Sequence, residues 1–232
     1  VLSKVATKVE MSFMQAKTAV LNLNHHAVVS HALANIRNES TPPALFRLAM
    51  RQVGHVLLSH ATEHLPCVEV SVKTPLEETT VLVRNAEVPL LIVPILRAGL
   101  VWTDLALEWL PEASVYHLGL ARNEETLEPM TYYNKFSTHS FDYSKAHVLV
   151  LDPMLATGGS AVSAIEVLKA QGVKEENIHF VCLLASPEGV EHLQRHLPHV
   201  HIITAAIDSH LNEKGYIVPG LGDAGDRTFG TL

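Results

Sequence analysis

The residues of this chain best suited to chemistry lie in one short run, Leu151 to Ser160 (LDPMLATGGS). A strand-like stretch, HVLVL, leads into it and a helix-forming stretch leaves it. A glycine pair at such a junction lets the backbone turn tightly and aim N–H groups inward. The start of the following helix adds partial positive charge, so an anion such as a phosphate suits the turn. Thr157 and Ser160 add hydroxyl donors, and Asp152 at the strand end can accept hydrogen bonds from sugar hydroxyls. The run has neither the P-loop lysine nor GxGxxG spacing, which weakens nucleoside-triphosphatase and dinucleotide readings. A plain glycine-rich turn capping a helix would share the same outline.

Two arginines stand at comparable junctions. Arg97 lies in VPILRAGL, just past an apolar run, and Arg122 lies in ARNEETLEP. A guanidinium stays charged and can bond phosphate oxygens bidentately. Glu124 and Glu125 are equally natural ion-pair partners for Arg122. The tail from Asp208 to Leu232, with GYIVPGLGDAGDR, is rich in glycine and turn residues yet carries apolar and charged side chains. A long irregular segment of that kind in a compact domain reads as functional.

The elements that must position these residues follow from periodicity. Thr41, Pro42 and Pro43 suit a first helical turn. From Ala44 to Leu65, Leu45, Leu48, Ala49, Val53, Val56, Leu57 and Ala61 keep a helix period, with Gln52 a polar exception, and Leu65–Pro66 ends it. Val88 to Leu96 reads as a buried strand, Ala98 to Trp109 as a helix and Ser114 to Leu120 as a second strand. His147 to Leu151 is a third strand, followed by a helix from Ser160 to Ala170 that stops at Gly172. His179 to Leu184 is a fourth strand, Pro187 to His196 a helix opened by Ser186, and His201 to Ala206 a fifth strand. The stretch from Glu124 to Tyr143 could be a strand pair that opens and closes. Alternation of strands and helices predicts an α/β fold with a mainly parallel sheet flanked by helices. Ligands of such sheets bind at the carboxyl ends of the strands, where the motifs fall.

Composition narrows the class. The chain has 232 residues, 47% of them hydrophobic, enough for a sizeable core. With 18% charged residues it is not a disordered polyelectrolyte, and a formal net charge of -7 argues against a nucleic-acid partner. No apolar run approaches a membrane span, and Val1 to Glu10 shows no signal-peptide pattern, so a cytoplasmic location is the default. Cys67 and Cys182 each sit in an apolar, strand-like run and are expected to be buried thiols. Among the fifteen histidines, the pairs His25–His26 and His199–His201 lack the cysteine or carboxylate partners of a closed metal site. His199 and His201 are expected to share one strand face.

The run LDPMLATGGS resembles the signature of the type I phosphoribosyltransferases: an apolar strand, an acid, then a short loop ending in Thr-Gly. Pro153, where many members carry a second acid, matches the uracil-specific branch. Together with VPILRAGL, RNEETLEP and GYIVPGLGDAGDR, four blocks in order, the resemblance spans from about His25 to the end. It departs in the first block, where His26-Ala27-Val28-Val29 and His31-Ala32 replace the usual HPLV and HK.

The resemblance implies a uracil phosphoribosyltransferase that converts uracil and 5-phosphoribosyl-1-diphosphate (PRPP) to UMP and diphosphate. It implies that Arg97, Arg122, Asp223 and the loop Asp152, Pro153, Met154, Leu155, Ala156, Thr157, Gly158, Gly159 and Ser160 bind PRPP. Arg97, Asp152 and Asp223 would be catalytic. Ile217, Gly222, Asp223 and Ala224 would bind uracil. Mg²⁺ would be held mainly by PRPP, with no dedicated protein site. The implied layout is one structural domain: an N-terminal helical arm, residues 1–66, an α/β core, residues 67–206, and a base-binding hood, residues 207–232. A homo-oligomer, dimer or tetramer, is expected, with GTP as a candidate effector and neither nucleic acid nor membrane as a partner. Two rivals stay open. One is a phosphoribosyltransferase for a purine or orotate. The other is a non-catalytic RNA-binding regulator on the same fold, which the acidic balance disfavours.

Overall fold

The computed structural model describes residues 20–122, 129–134 and 142–231. In chain order these form β1 (Val20–Asn22), α1 (Ala27–Arg37), α2 (Pro43–Thr62), β2 (Cys67–Lys73), β3 (Glu78–Arg84) and β4 (Leu90–Leu96). A 3₁₀ turn, Ala98–Trp102, runs into α3 (Thr103–Trp109) and is followed by β5 (Ser114–Val115), β6 (Leu118–Arg122) and β7 (Pro129–Asn134). Then come β8 (His147–Leu151), β9 (Met154–Leu155), α4 (Gly159–Ala170), β10 (Ile178–Ala185), α5 (Pro187–His196) and β11 (His201–Ile207). The chain closes with β12 (His210–Leu211), β13 (Ile217–Val218) and α6 (Ala224–Phe229).

The main sheet runs β1-β11-β10-β8-β4-β6-β7, with β5 beside β4 and β9 beside β10. Every pairing in it is parallel except β6 with β7. Parallel strands must be buried on both faces, and LLIVPIL, HVLVL and IHFVCLLA are apolar almost throughout. Two cores result. Leu149, Val181, Leu183 and Ile203 face α1 and α2, while Val148, Val150, Phe180 and Ile202 face α4 and α5 with Ile165, Leu168 and Leu193.

The expected second strand, Ser114 to Leu120, is split. Ile92 pairs with Val115 and Ile95 with Leu118, which sets the gap at Tyr116 and His117 opposite Val93 and Pro94. Pro94 has no N–H to give, so an interruption of its neighbour costs little there. The expected helix Ala98–Trp109 starts as a 3₁₀ turn. On α2 the buried stripe is Phe46, Ala49, Met50, Val53, Leu57, Leu58 and Ala61. Leu45 and Leu48, expected in the core, are each 55% exposed. They share the Gln52 side of the helix, so that polar residue marked the edge of the buried face rather than an exception within it.

Four features depart from the sequence expectations. β1 adds an edge strand before α1. β2 and β3 pair antiparallel as a separate hairpin, legible in hindsight from the alternation of Val68, Val70 and Val72 against Val81 and Val83. Cys67 begins that hairpin and is exposed, correcting its expected burial, whereas Cys182 is buried and its thiol is pushed up to about 12 by burial. His199 precedes β11 rather than lying in it. Of the segment from Glu124 to Tyr143, residues 124–128 and 135–141 are outside the described residues, and Pro129–Asn134 is the described strand. Among the described residues no helix is long and apolar enough to cross a membrane.

Candidate active site

The main sheet delivers the glycine loop at the carboxyl end of β8. Leu151 ends the strand, Asp152 N–H still bonds the Val181 carbonyl at 3.2 Å, and the chain then turns. Pro153 turns its carbonyl toward β10, accepting from Leu183 and Leu184 at 2.9 and 3.0 Å. Met154 and Leu155 pair with Leu184 and Ala185 as β9. The first half of the loop is therefore part of the sheet. Gly158 then adopts φ 81° as the residue before α4, a conformation that L side chains rarely take. The Gly159 N–H meets the Thr157 hydroxyl at 3.5 Å, and Ser160 is exposed in the first turn of α4.

A cavity of about 360 Å³ opens over this loop. Asp152, Thr157, Gly158 and Ser160 line it from the loop side, with Met154, Leu155 and Ala156. Lys214, Gly215, Tyr216 and Asp223 line it from the C-terminal tail. Pro153 and Gly159 lie outside this lining. The lining joins backbone donors and a helix start to one cation and two carboxylates, a set suited to a phosphorylated sugar. Burial pushes the Asp152 carboxyl up to about 7, although the Met154 N–H at 3.3 Å pulls the other way. Among the described residues, no group of three or more His, Cys, Asp or Glu side chains could hold a metal ion.

The tail is a hood held by side chains from the N-terminal helices. Asn212 organises the tip: its side-chain oxygen accepts from Lys214 and Tyr216 N–H at 3.0 and 2.9 Å. Leu211 pairs with Ile217 and His210 with Val218. The Val218–Pro219 peptide is cis. Arg37 bonds both Asp208 carboxylate oxygens and the Gly220 carbonyl, and the Gly220 N–H donates to Asp208 at 2.9 Å. Arg227 is buried in α6, donating to the carbonyls of Ile36, Asn38 and Leu221 and lying 4.5 Å over the Phe46 ring.

Of the other expected residues, Asp223 lines this cavity, whereas Ile217, Gly222, Ala224 and Arg97 are not in its lining. Ile217 and Ala224 are buried, and Gly222 is exposed with φ 82°. Asp223 caps α6, its carboxylate accepting from Asp226 N–H at 2.8 Å. Arg97 follows β4 through a cis Leu96–Arg97 peptide and reaches Asp226 at 2.9 Å, with its guanidinium half exposed. A Cβ on Gly225 would lie 3.2 Å from the Asp223 oxygen and 3.7 Å from Arg97 Nη2, so Arg97 and Asp223 flank the same turn. Arg122 ends β6, paired with Pro129, and its side chain is outside the described residues. Sequence reasoning missed Lys214 and Tyr216, although both adjoin the Gly215 that opens the tail block. It also missed Arg37, whose partner lies 171 residues away.

A parallel sheet ending in a glycine loop, a strand-end carboxylate and a hooded cavity define an α/β protein of the type I phosphoribosyltransferase kind. The model of the family "Uracil phosphoribosyltransferase" matches residues 23–231. The chain belongs to the uracil phosphoribosyltransferase family. It is 51% identical over 206 residues to a uracil phosphoribosyltransferase of Dictyoglomus thermophilum, covering 89% of this chain and 97% of that one. Identity to the Bacillus velezensis uracil phosphoribosyltransferase is 50%, over 89% and 96% of the two chains. Among solved structures, the AQ2163 protein from Aquifex aeolicus superposes with a TM-score of 0.81 at 34% identity, covering 91% of this chain and 98% of that chain.

Proposed function

We propose that this chain transfers the phosphoribosyl group of PRPP to uracil, giving UMP and diphosphate in pyrimidine salvage. The observation that carries the reading is the shared cavity in which Asp152, the Thr157–Ser160 turn and Asp223 meet. In a member of this family, that is where a phosphorylated ribose and a base would come together.

Each residue then has a physical task. The backbone of the loop from Asp152 to Ser160, with the Thr157 and Ser160 hydroxyls, holds the 5-phosphate at the start of α4. Asp152 accepts from the ribose hydroxyls. Arg97 and Arg122 neutralise the departing diphosphate, which carries growing negative charge in the transition state. Asp223 stands between ribose and base. Ile217, Gly222 and Ala224 meet uracil through the backbone. The Gly220 N–H is not available for that purpose, because Asp208 takes it. The donor set suits a hydrated Mg²⁺ carried on PRPP, with Asp152 and Asp223 as the carboxylates near it. When bound, that cation supplies further charge neutralisation at the diphosphate.

A homo-oligomer in the cytoplasm completes the reading; exposed leucines on α2 and the β2–β3 hairpin are consistent with the oligomer. Leu45, Leu48, Leu76 and Leu82 are 55%, 55%, 95% and 66% exposed. GTP is proposed as an effector, to be tested by adding it to the turnover assay. The reading itself is tested by competing turnover of uracil, 5-fluorouracil and cytosine. Cytosine inverts the donor and acceptor pattern at the exocyclic oxygen and N3, and a site built on such polar contacts rejects it by on the order of 10⁴-fold. Cytosine turned over within about tenfold of uracil, a gap of only ~1.4 kcal/mol, would contradict backbone readout of the base.

A further inference from the structure

Three successive carbonyls of the glycine loop are bound from behind by α5 and the residue that caps it. Ser186 N–H donates to the Leu155 carbonyl at 2.9 Å. Its hydroxyl donates to the Ala156 carbonyl at 2.6 Å and accepts the Gly189 N–H at 2.9 Å. The Thr157 carbonyl meets His192 Nδ1 at 2.9 Å. A carbonyl oxygen can only accept, so His192 carries its proton on Nδ1 here. In a trans peptide the C=O and N–H point in opposite directions. Pulling the carbonyls of residues 155, 156 and 157 toward α5 therefore aims the N–H groups of Ala156, Thr157 and Gly158 at the cavity. Contact is close enough to require glycine on α5: a Cβ on Gly189 would stand 2.2 Å from the Ala156 oxygen. Gly158 packs against the same place, its would-be Cβ 3.2 Å from His192 Cβ.

We infer that His192 is a positioning residue for phosphate binding: its Nδ1–H fixes the Thr157 carbonyl and so presents the Gly158 N–H to the phosphate. The ring touches no substrate. It lies in a second cleft, lined also by Glu188, Glu191, Arg195, His196 and Leu211, which shares Thr157 with the cavity over the loop. The role rests on the reading of the loop as a phosphate cradle and deepens it.

The test compares wild type, His192→Ala and His192→Asn, because an asparagine side-chain N–H can occupy the Nδ1 position and restore the donor. Ribose 5-phosphate binding is measured by calorimetry, and KM for PRPP and for uracil by turnover. Loss of one net hydrogen bond predicts binding and PRPP KM weakened by roughly five- to tenfold in His192→Ala. Uracil KM should stay unchanged, and asparagine should recover most of the loss. Equal binding in wild type and His192→Ala overturns the inference, as does an asparagine variant no better than alanine. Wild type that fails to bind ribose 5-phosphate overturns it too. A protein that binds ribose 5-phosphate in this His192-dependent way but makes no UMP leaves the positioning role standing and removes the functional reading.

Discussion

Arg37 and Asp208 pair across 171 residues, Nη2 donating to Oδ1 at 2.5 Å and Nη1 to Oδ2 at 2.8 Å. The Asp208 side chain is 5% exposed, so its charge has little water to fall back on. Arg37→Ala leaves that carboxylate buried with the Gly220 N–H as its remaining described partner. Breaking a pair of this kind costs about 3 kcal/mol. The expected outcome in denaturant unfolding is a loss of that order, together with a raised KM for uracil because Asp208 and Arg37 both hold the Gly220 turn. A loss below ~0.5 kcal/mol with unchanged uracil KM would contradict the clamp.

Arg97, proposed above as a diphosphate ligand, is paired with Asp226 in this structure. Its guanidinium is half exposed and meets that carboxylate at 2.9 Å. Arg97→Ala should impair use of PRPP rather than uracil, since a hydrogen bond to a charged group is worth about 1.5–3 kcal/mol. Initial-rate kinetics with each substrate varied in turn separate the two. A raised KM for uracil alone counts against a diphosphate role.

Asp152, proposed as the acceptor of the ribose hydroxyls, should set a pH limit. Burial raises its carboxyl to about 7, so it is protonated below that pH and a weaker acceptor for ribose hydroxyls. The kcat/KM for PRPP is expected to fall as pH drops through about 7. Asp152→Asn should be slower and should lack that acid limb. A wild-type profile that is flat between about pH 6 and 8 would dissociate this carboxylate from PRPP use.

At the opposite, amino-terminal edge of the strands, histidines gather. His147 and His201 begin β8 and β11, His179 is the second residue of β10, all three lie on one sheet face, and the His179 and His201 rings stack at 4.9 Å. The Nδ1 atoms of His147 and His179 are buried without a hydrogen-bond partner. Burial, then the neighbouring His201, His147 and His64, push His179 down to about 3; His147 and His201 are lowered as well. Unfolding releases these groups to titrate near their ordinary value. The unfolded chain therefore gains protons first, and stability falls as pH drops below about 6.5. His179 alone should lose about 2 kcal/mol between pH 7 and pH 5. Denaturant unfolding of wild type and His179→Leu at both pH values checks this. Equal pH dependence in the two proteins would contradict it.

Much of this architecture was legible because the signals are local. HVLVL and the Pro187–His196 helix were readable to the residue, since an unbroken apolar strand and a Ser-Pro start are complete within their own windows. The glycine loop was legible for the same reason. What escaped depends on partners distant in sequence. The stripe of α2 that is buried is chosen by the sheet, so Leu45 and Leu48 looked as apolar as Phe46 and Met50. The break at Tyr116 and His117 depends on Pro94 in another strand. Asp208 reads as a turn residue until Arg37 is brought beside it. His192 reads as one of many exposed histidines until α5 lies behind the loop.

One reaction decides whether this chain makes UMP. The folded chain is mixed with uracil, PRPP and Mg²⁺, with and without GTP, and the nucleotide product is identified by mass and chromatography. UMP is expected, with one diphosphate released for each UMP formed, and none when PRPP is omitted. Folded protein that yields no UMP under either condition would contradict this.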